Sequence, residues 1–240
     1  MVTRVAPTPS GLLHEGNRFN FRVTADLARE HHIPLALRID DADSARYRSM
    51  YTDDIFRVLH DLKIEWDIGP RDTADFEANW SQRDKTDYYR AAMAILCDSD
   101  IETYACRCSR SMIDGIPSGG CPGRCRAADY ELVPHESSLR VHVPSDTRIA
   151  IHGGSLDLES EMGDFVIWRR DDLPSYQLVS VIEDRDLGTT HIVRGEDLLA
   201  STAAQIFLAP ALGADMLVTA FYLHHPLLTD VNGVKLSKSR

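Results

Sequence analysis

The chain has 240 residues, 43% of them hydrophobic and 26% charged, with a formal net charge of -11 at pH 7. This is the composition of a globular protein that buries a full core, as one large domain with an insertion or as two small ones. The acidity excludes broad electrostatic affinity for nucleic acid or an anionic membrane, so any RNA contact has to be local. With no eighteen-residue apolar run and no leader-like start, a cytoplasmic, monomeric protein is expected.

Thr3 to Ala6 is a short β-like run ending in a Pro/Ser/Gly turn, and from Gly16 to about Glu30 a helix presents Phe19, Val23 and Leu27 on one face. Leu35 to Ile39 reads as a second strand, closed by Asp40, Asp41 and Asp43. Right-handed β-α-β geometry places its carboxyl end beside the first glycine turn, where open parallel sheets bind ligands. Thr52-Asp53-Asp54 predicts the cap of a helix through Leu62, and Ser81 that of a long helix with Tyr88, Ala91, Ala92, Ile95 and Leu96 at helical spacing. Between about Tyr104 and Asp164, cysteines, glycines, prolines and the alternating Leu139-Arg140-Val141-His142-Val143 predict a small β-rich insertion. Buried strands return at Phe165–Trp168 and His191–Val193, followed by a helix from about Leu198 to Leu212. The expected fold class is α/β: Rossmann halves at 1–84 and 173–240, interrupted by an α+β insertion at 85–172.

A phosphate-bearing ligand needs close backbone approach, donors for its oxygens, and positive charge where negative charge builds. Gly11 and Gly16 supply access, His14 stands just before a helix N-terminus, and Lys235 and Lys238 bring two ammonium groups on a loop preceded by Asn232-Gly233. The pairing of His14-x-Gly16 with Lys235-Leu236-Ser237-Lys238-Ser239, with Arg38-Ile39-Asp40-Asp41-Ala42-Asp43 between them, resembles the glutamyl-tRNA synthetase branch of the class I aminoacyl-tRNA synthetases. The resemblance implies a Rossmann-like catalytic domain, with His14, Lys235 and Lys238 in catalysis and Gly11, His14, Gly16, Asn17, Glu196, Leu236 and Lys238 on ATP, which brings Mg²⁺. It further implies that Arg4, Ala6, Thr8, Asp40, Tyr176 and Arg194 bind the amino acid: two guanidinium forks for an acidic side chain, and Asp40 for the ammonium. The chain departs from the family pattern at Glu15, usually apolar, at Asn17 for a final histidine, at Thr8 for serine, at Ser180 for asparagine, and at Asp40 for glutamate, one methylene shorter.

Cys106-x-Cys108 and Cys121-x-x-x-Cys125 set four thiols around Gly119-Gly120, the pattern of a closed, tetrahedral structural zinc site, while Cys97 belongs with the core of the preceding helix. A similar knuckle marks the short glutamyl-Q-tRNA(Asp) synthetase paralogs, in which a tyrosine holds the position of Cys121. Arg107, Arg110, Arg124 and Arg126 around the cysteines form a local basic cap for a tRNA backbone. The leading function is ATP-dependent activation of glutamate and its transfer to a modified base of a tRNA, with no anticodon-binding domain. An adenylate ligase with another acceptor and a non-catalytic binding paralog are the alternatives.

Overall fold

The computed structural model describes residues 1–43, 45, 47–113, 121, 123–151 and 154–228. In chain order its main elements are β1 (Thr3–Val5), α1 (Glu15–Glu30), β2 (Leu35–Leu37), α2 (Ser49–Asp61), α3 (Thr86–Cys97), β3 (Thr103–Cys106), β4 (Ser138–Val141), β5 (Arg148–Ile151), β6 (Gly154–Asp157), β7 (Phe165–Trp168), α4 (Tyr176–Asp186), β8 (His191–Gly195), α5 (Leu199–Leu208) and β9 (Phe221–His225). They fall into two compact units: Met1–Lys85 with Leu187–Leu198 and the described residues from Thr219, and Thr86–Asp186 with Leu199–Val218.

The first unit is built on a parallel sheet of order β2-β1-β8-β9. One face carries Val5, Leu35, Leu37 and Val193 into a core completed by Phe21, Ala25 and Ala28 of α1 and Ile55, Val58 and Leu59 of α2. Thus the strand-turn-helix-strand reading of the first forty residues is realised, and a buried apolar face of this kind is what fixes the register of short strands. Helix α2 begins three residues before the expected cap. Thr52 and Asp54 are buried within it, and Asp54 accepts the Leu13 N–H at 2.8 Å and bonds Arg57. Asp54 therefore ties the helix to the glycine turn instead of capping it.

The second unit holds the expected β-rich segment as an antiparallel sheet of order β3-β4-β7 and a β5-β6 pair. All four residues of β4 are buried because it is the central strand, so its alternation does not mark a wet face. Strand β7 belongs to this antiparallel sheet and not to the parallel one. The buried stripe of α3 is Tyr89, Ala92 and Leu96, one position round from the expected face, leaving Tyr88 and Ile95 exposed. The Tyr89 hydroxyl donates to Glu183 at 2.6 Å, which sets that rotation. Cys97 is exposed, contrary to the core assignment. Helix α5 stops at Leu208 because Pro210 withdraws a backbone donor, and a 3₁₀ turn, Pro210–Leu212, follows. Helix α4 has no counterpart in the sequence reading: seven of its eleven residues are buried, so no polar face marks a helical period.

Candidate active site and metal centre

The glycine turn forms a reciprocal cap. His14 is the N-cap of α1, its Nδ1 accepts the Gly16 N–H at 3.0 Å, and Asn17 Oδ1 accepts the His14 N–H at 3.2 Å. A backbone N–H only donates, so Nδ1 is the acceptor and the ring proton sits on Nε2. Asn17 is thus a structural partner of the turn, which explains how an amide serves at a position where the family often has histidine. Glu15 is 68% exposed and pairs with Arg18 at 3.5 Å, so its carboxylate complements the helix dipole from outside the turn. Gly16 is required by the ring: a Cβ there would lie 2.8 Å from His14 Cε1 and 2.9 Å from Nδ1. We expect Gly16→Ala to displace the imidazole and to lower ATP-dependent turnover about 100-fold, the cost of an ångström-scale misplacement, readable as kcat with helix content unchanged.

The sheet face opposite the apolar core carries charge. In the parallel register Arg4 aligns with Ala36, and Arg194 with His224. Thr3 aligns with His191, so side-chain alternation puts Arg4 and Arg194 on the same face, two positions apart along neighbouring strands. Both are buried, 3% and 4% exposed. Asp40, just past β2, receives Arg38 through Nε at 2.7 Å and Nη2 at 3.1 Å, and Gln82 Nε2 at 3.0 Å. Asp41 is fully occupied elsewhere, by Ser81 Oγ, the Gln82 N–H and Arg83 Nε at 2.7–2.8 Å. Ser81 therefore bonds an acid and does not cap α3. The sequence reading overlooked Arg38 and Gln82 as partners of Asp40. The two-residue spacing of Arg38 and Asp40 along an extended chain was the available signal.

On that face His224 is pushed down to about 4 by burial, then by Arg194 and His225. The unfolded chain binds a proton near 6.5 that the folded chain refuses until about 4, so stability is fully present above pH 6.5 and falls as pH drops through that window. His224→Gln is expected to flatten this slope in Tm measured against pH. His225 instead donates Nδ1–H to the Pro226 carbonyl at 2.9 Å and takes Asn20 Nδ2 on Nε2 at 3.0 Å, a structural role. Glu196 is exposed after β8. Tyr176 opens α4 in the second unit and is 41% exposed. Ala6 and Thr8 follow β1. Lys235, Leu236 and Lys238, with Asn232-Gly233, lie outside the described residues, as does Gly119-Gly120.

The four expected cysteines converge: the Sγ atoms of Cys106, Cys108, Cys121 and Cys125 all lie within 4.8 Å of one another, Cys108 being 3.8 Å from Cys121 and 3.5 Å from Cys125. Tetrahedral thiolates around zinc, at a Zn–S distance of about 2.3 Å, stand about 3.8 Å apart, so the set fits such an ion. Burial raises the Cys106 and Cys108 thiols; at Cys121 burial is outweighed by the N–H groups of Cys125 and Gly123, which hold it down to about 7. Of the surrounding arginines, Arg107 pairs with Glu136 at 3.7 Å and stacks over Tyr130, and Arg126 meets Glu102 and His142, so acids temper the basic cap. Arg124 is exposed.

The family model described as tRNA synthetases class I (E and Q), catalytic domain, matches residues 1–116 and 127–240. The chain belongs to that family. It is a class I aminoacyl-tRNA synthetase-type ligase, and its α/β fold with a parallel sheet is the one the motifs implied. It is 38% identical over 243 residues to the glutamyl-Q tRNA(Asp) synthetase of Methylococcus capsulatus, covering 98% of this chain and 74% of that one. To the enzyme of the same name from Verminephrobacter eiseniae it is 37% identical over 251 residues, 98% of this chain and 80% of that one. A glutamate-tRNA synthetase structure from Elizabethkingia anophelis shares the fold with a TM-score of 0.78 at 24% identity, over 99% of this chain and 52% of that chain. This chain thus spans about half the length of that solved synthetase. No described helix is long and apolar enough to cross a membrane.

Proposed function

We propose that this chain activates glutamate with ATP, giving glutamyl-adenylate and pyrophosphate, and passes the glutamyl group to a modified base of tRNA(Asp). The observation that carries the reading is the pair of buried arginines, Arg4 and Arg194, on one face of the sheet whose first strand leads into the His14 turn. Two forked cations with little exposure suit a carboxylate side chain, which planar guanidinium groups grip in bidentate fashion. Ala6 and Thr8 line the approach, and Asp40 takes the ammonium. In the activation step the substrate α-carboxylate oxygen attacks the α-phosphorus while the bond to the β-phosphate breaks and pyrophosphate leaves. The carboxylate is already the nucleophile, so no side-chain base is needed. His14 Nε2–H at the N-terminus of α1 donates to the phosphates, and Lys235 and Lys238 neutralise the leaving pyrophosphate.

Zinc on Cys106, Cys108, Cys121 and Cys125 fixes the loops that follow β3. Mg²⁺ accompanies ATP, held mainly by phosphate oxygens and water. In this reading 1–84 and 173–240 are the catalytic halves, 85–172 the acceptor-side insertion, and the protein works as a cytoplasmic monomer. Transfer of labelled glutamate to tRNA(Asp) prepared with and without queuosine tests the acceptor. Labelling confined to the queuosine-bearing tRNA is expected; equal labelling of both contradicts it.

A further inference from the structure

Gln82 is 1% exposed, yet half of its amide is spent on a charged neighbour. Its side-chain nitrogen lies 3.0 Å from Asp40 Oδ1. A carboxylate accepts only, so the amide orientation is fixed with Nε2 toward Asp40 and Oε1 away. Oε1 is buried and has no hydrogen-bond partner among the described residues. Leaving a buried carbonyl oxygen unsatisfied is costly, and what it secures here is a bond to Asp40. The backbone of Gln82 is pinned as well, its N–H donating to Asp41 Oδ1 at 2.7 Å while Ser81 and Arg83 hold the other oxygen of Asp41. Consecutive donors 81–83 thus latch onto consecutive acids 40–41. On Asp40 the occupancy is uneven. Among the described residues Oδ1 takes Arg38 Nε and Gln82, while Oδ2 takes Arg38 Nη2, at the longer distance of 3.1 Å.

We propose that Gln82 is a positioning residue that acts through Asp40: together with Arg38 it fixes the carboxylate rotamer so that Oδ2 faces the ammonium group of the amino-acid substrate. The proposal rests on the reading of Asp40 as the ammonium-binding acid. It accounts for how an aspartate, one methylene shorter than the family's glutamate, holds a defined place: three donors from two elements orient what a longer side chain reaches by length alone. Gln82 touches no substrate atom itself.

Amino-acid-dependent ATP–pyrophosphate exchange with wild type, Gln82→Met, Gln82→Glu, Asp40→Asn and the Asp40→Asn/Gln82→Met double variant tests this. Loss of one charge-assisted hydrogen bond is expected to raise the glutamate KM about tenfold in Gln82→Met, with the ATP KM unchanged. In the Asp40→Asn background the same change adds nothing, since the group it orients is gone. Gln82→Glu sets two carboxylates together, and its glutamate KM returns toward wild type as pH falls and the new acid, once protonated, donates again. A Gln82→Met protein with an unchanged glutamate KM, with both KM values raised alike, or with additive effects on Asp40→Asn overturns the proposal. If Gln82→Met does not fold, a pH-independent Gln82→Glu overturns it alone. An Asp40→Asn protein with wild-type glutamate KM contradicts the underlying reading of Asp40 instead.

Discussion

Replacing Arg194 by alanine is expected to lower kcat/KM for glutamate by about 30- to 5,000-fold, the span that follows from losing about 2–5 kcal/mol on truncating one partner of a buried charge pair. Arg194 is 4% exposed and shares its sheet face with Arg4, so in the proposed site a substrate carboxylate that loses one fork is left with the other. Arg194→Lys keeps the charge without the bidentate fork, and an intermediate loss is expected. The KM for ATP stays unchanged in both. A second readout comes from His224, whose low pKa owes its second-largest contribution, after burial, to Arg194. Its titration by NMR moves upward in Arg194→Ala. An alanine variant with wild-type glutamate kinetics removes Arg194 from the amino-acid site.

Removing the proposed zinc is expected to have the second large effect. Cys106→Ser is expected to abolish stoichiometric zinc, because one of four converging thiolates is lost from a site whose Sγ atoms lie within 4.8 Å of one another. A metal present at a thousand times its Kd stabilises the folded state by about 4 kcal/mol. For a chain of this size each kcal/mol moves Tm by about 2–4 °C, so a fall of about 8–16 °C is expected on chelation of the wild type and in the variant alike. Metal analysis and calorimetry check it. A chelated wild type with unchanged Tm contradicts a structural role. Cys97→Ser serves as the control, since that thiol is exposed and outside the cluster.

What the sequence disclosed depended on whether the signal was local. The turn at His14, Gly16 and Asn17 is a contiguous motif whose capping bonds span three residues, and the four-cysteine spacing survives folding into one cluster. The amphipathic helix α1 and the two short strands flanking it were legible for the same reason. What was missed depends on partners far along the chain. Asp54 reads as a helix cap until Leu13, forty-one residues away, claims its carboxylate. Tyr88 fits a helical stripe until Tyr89 is drawn inward by Glu183, ninety-four residues on. The pairing of Gln82 with Asp40 crosses forty-two residues, and no period in the sequence announces it. Helix α4 hides for the opposite reason: burial on nearly every side erases the polar face that would mark its period.

In the proposed function the arginine-bearing face of the parallel sheet and the His14 turn form a glutamate-activating centre. Amino-acid-dependent ATP–pyrophosphate exchange, run across all the standard amino acids without tRNA and repeated with it, tests this most directly. Exchange with glutamate alone, already present without tRNA, is the predicted result; no exchange with any amino acid under either condition, or exchange driven by a neutral or cationic one, contradicts it.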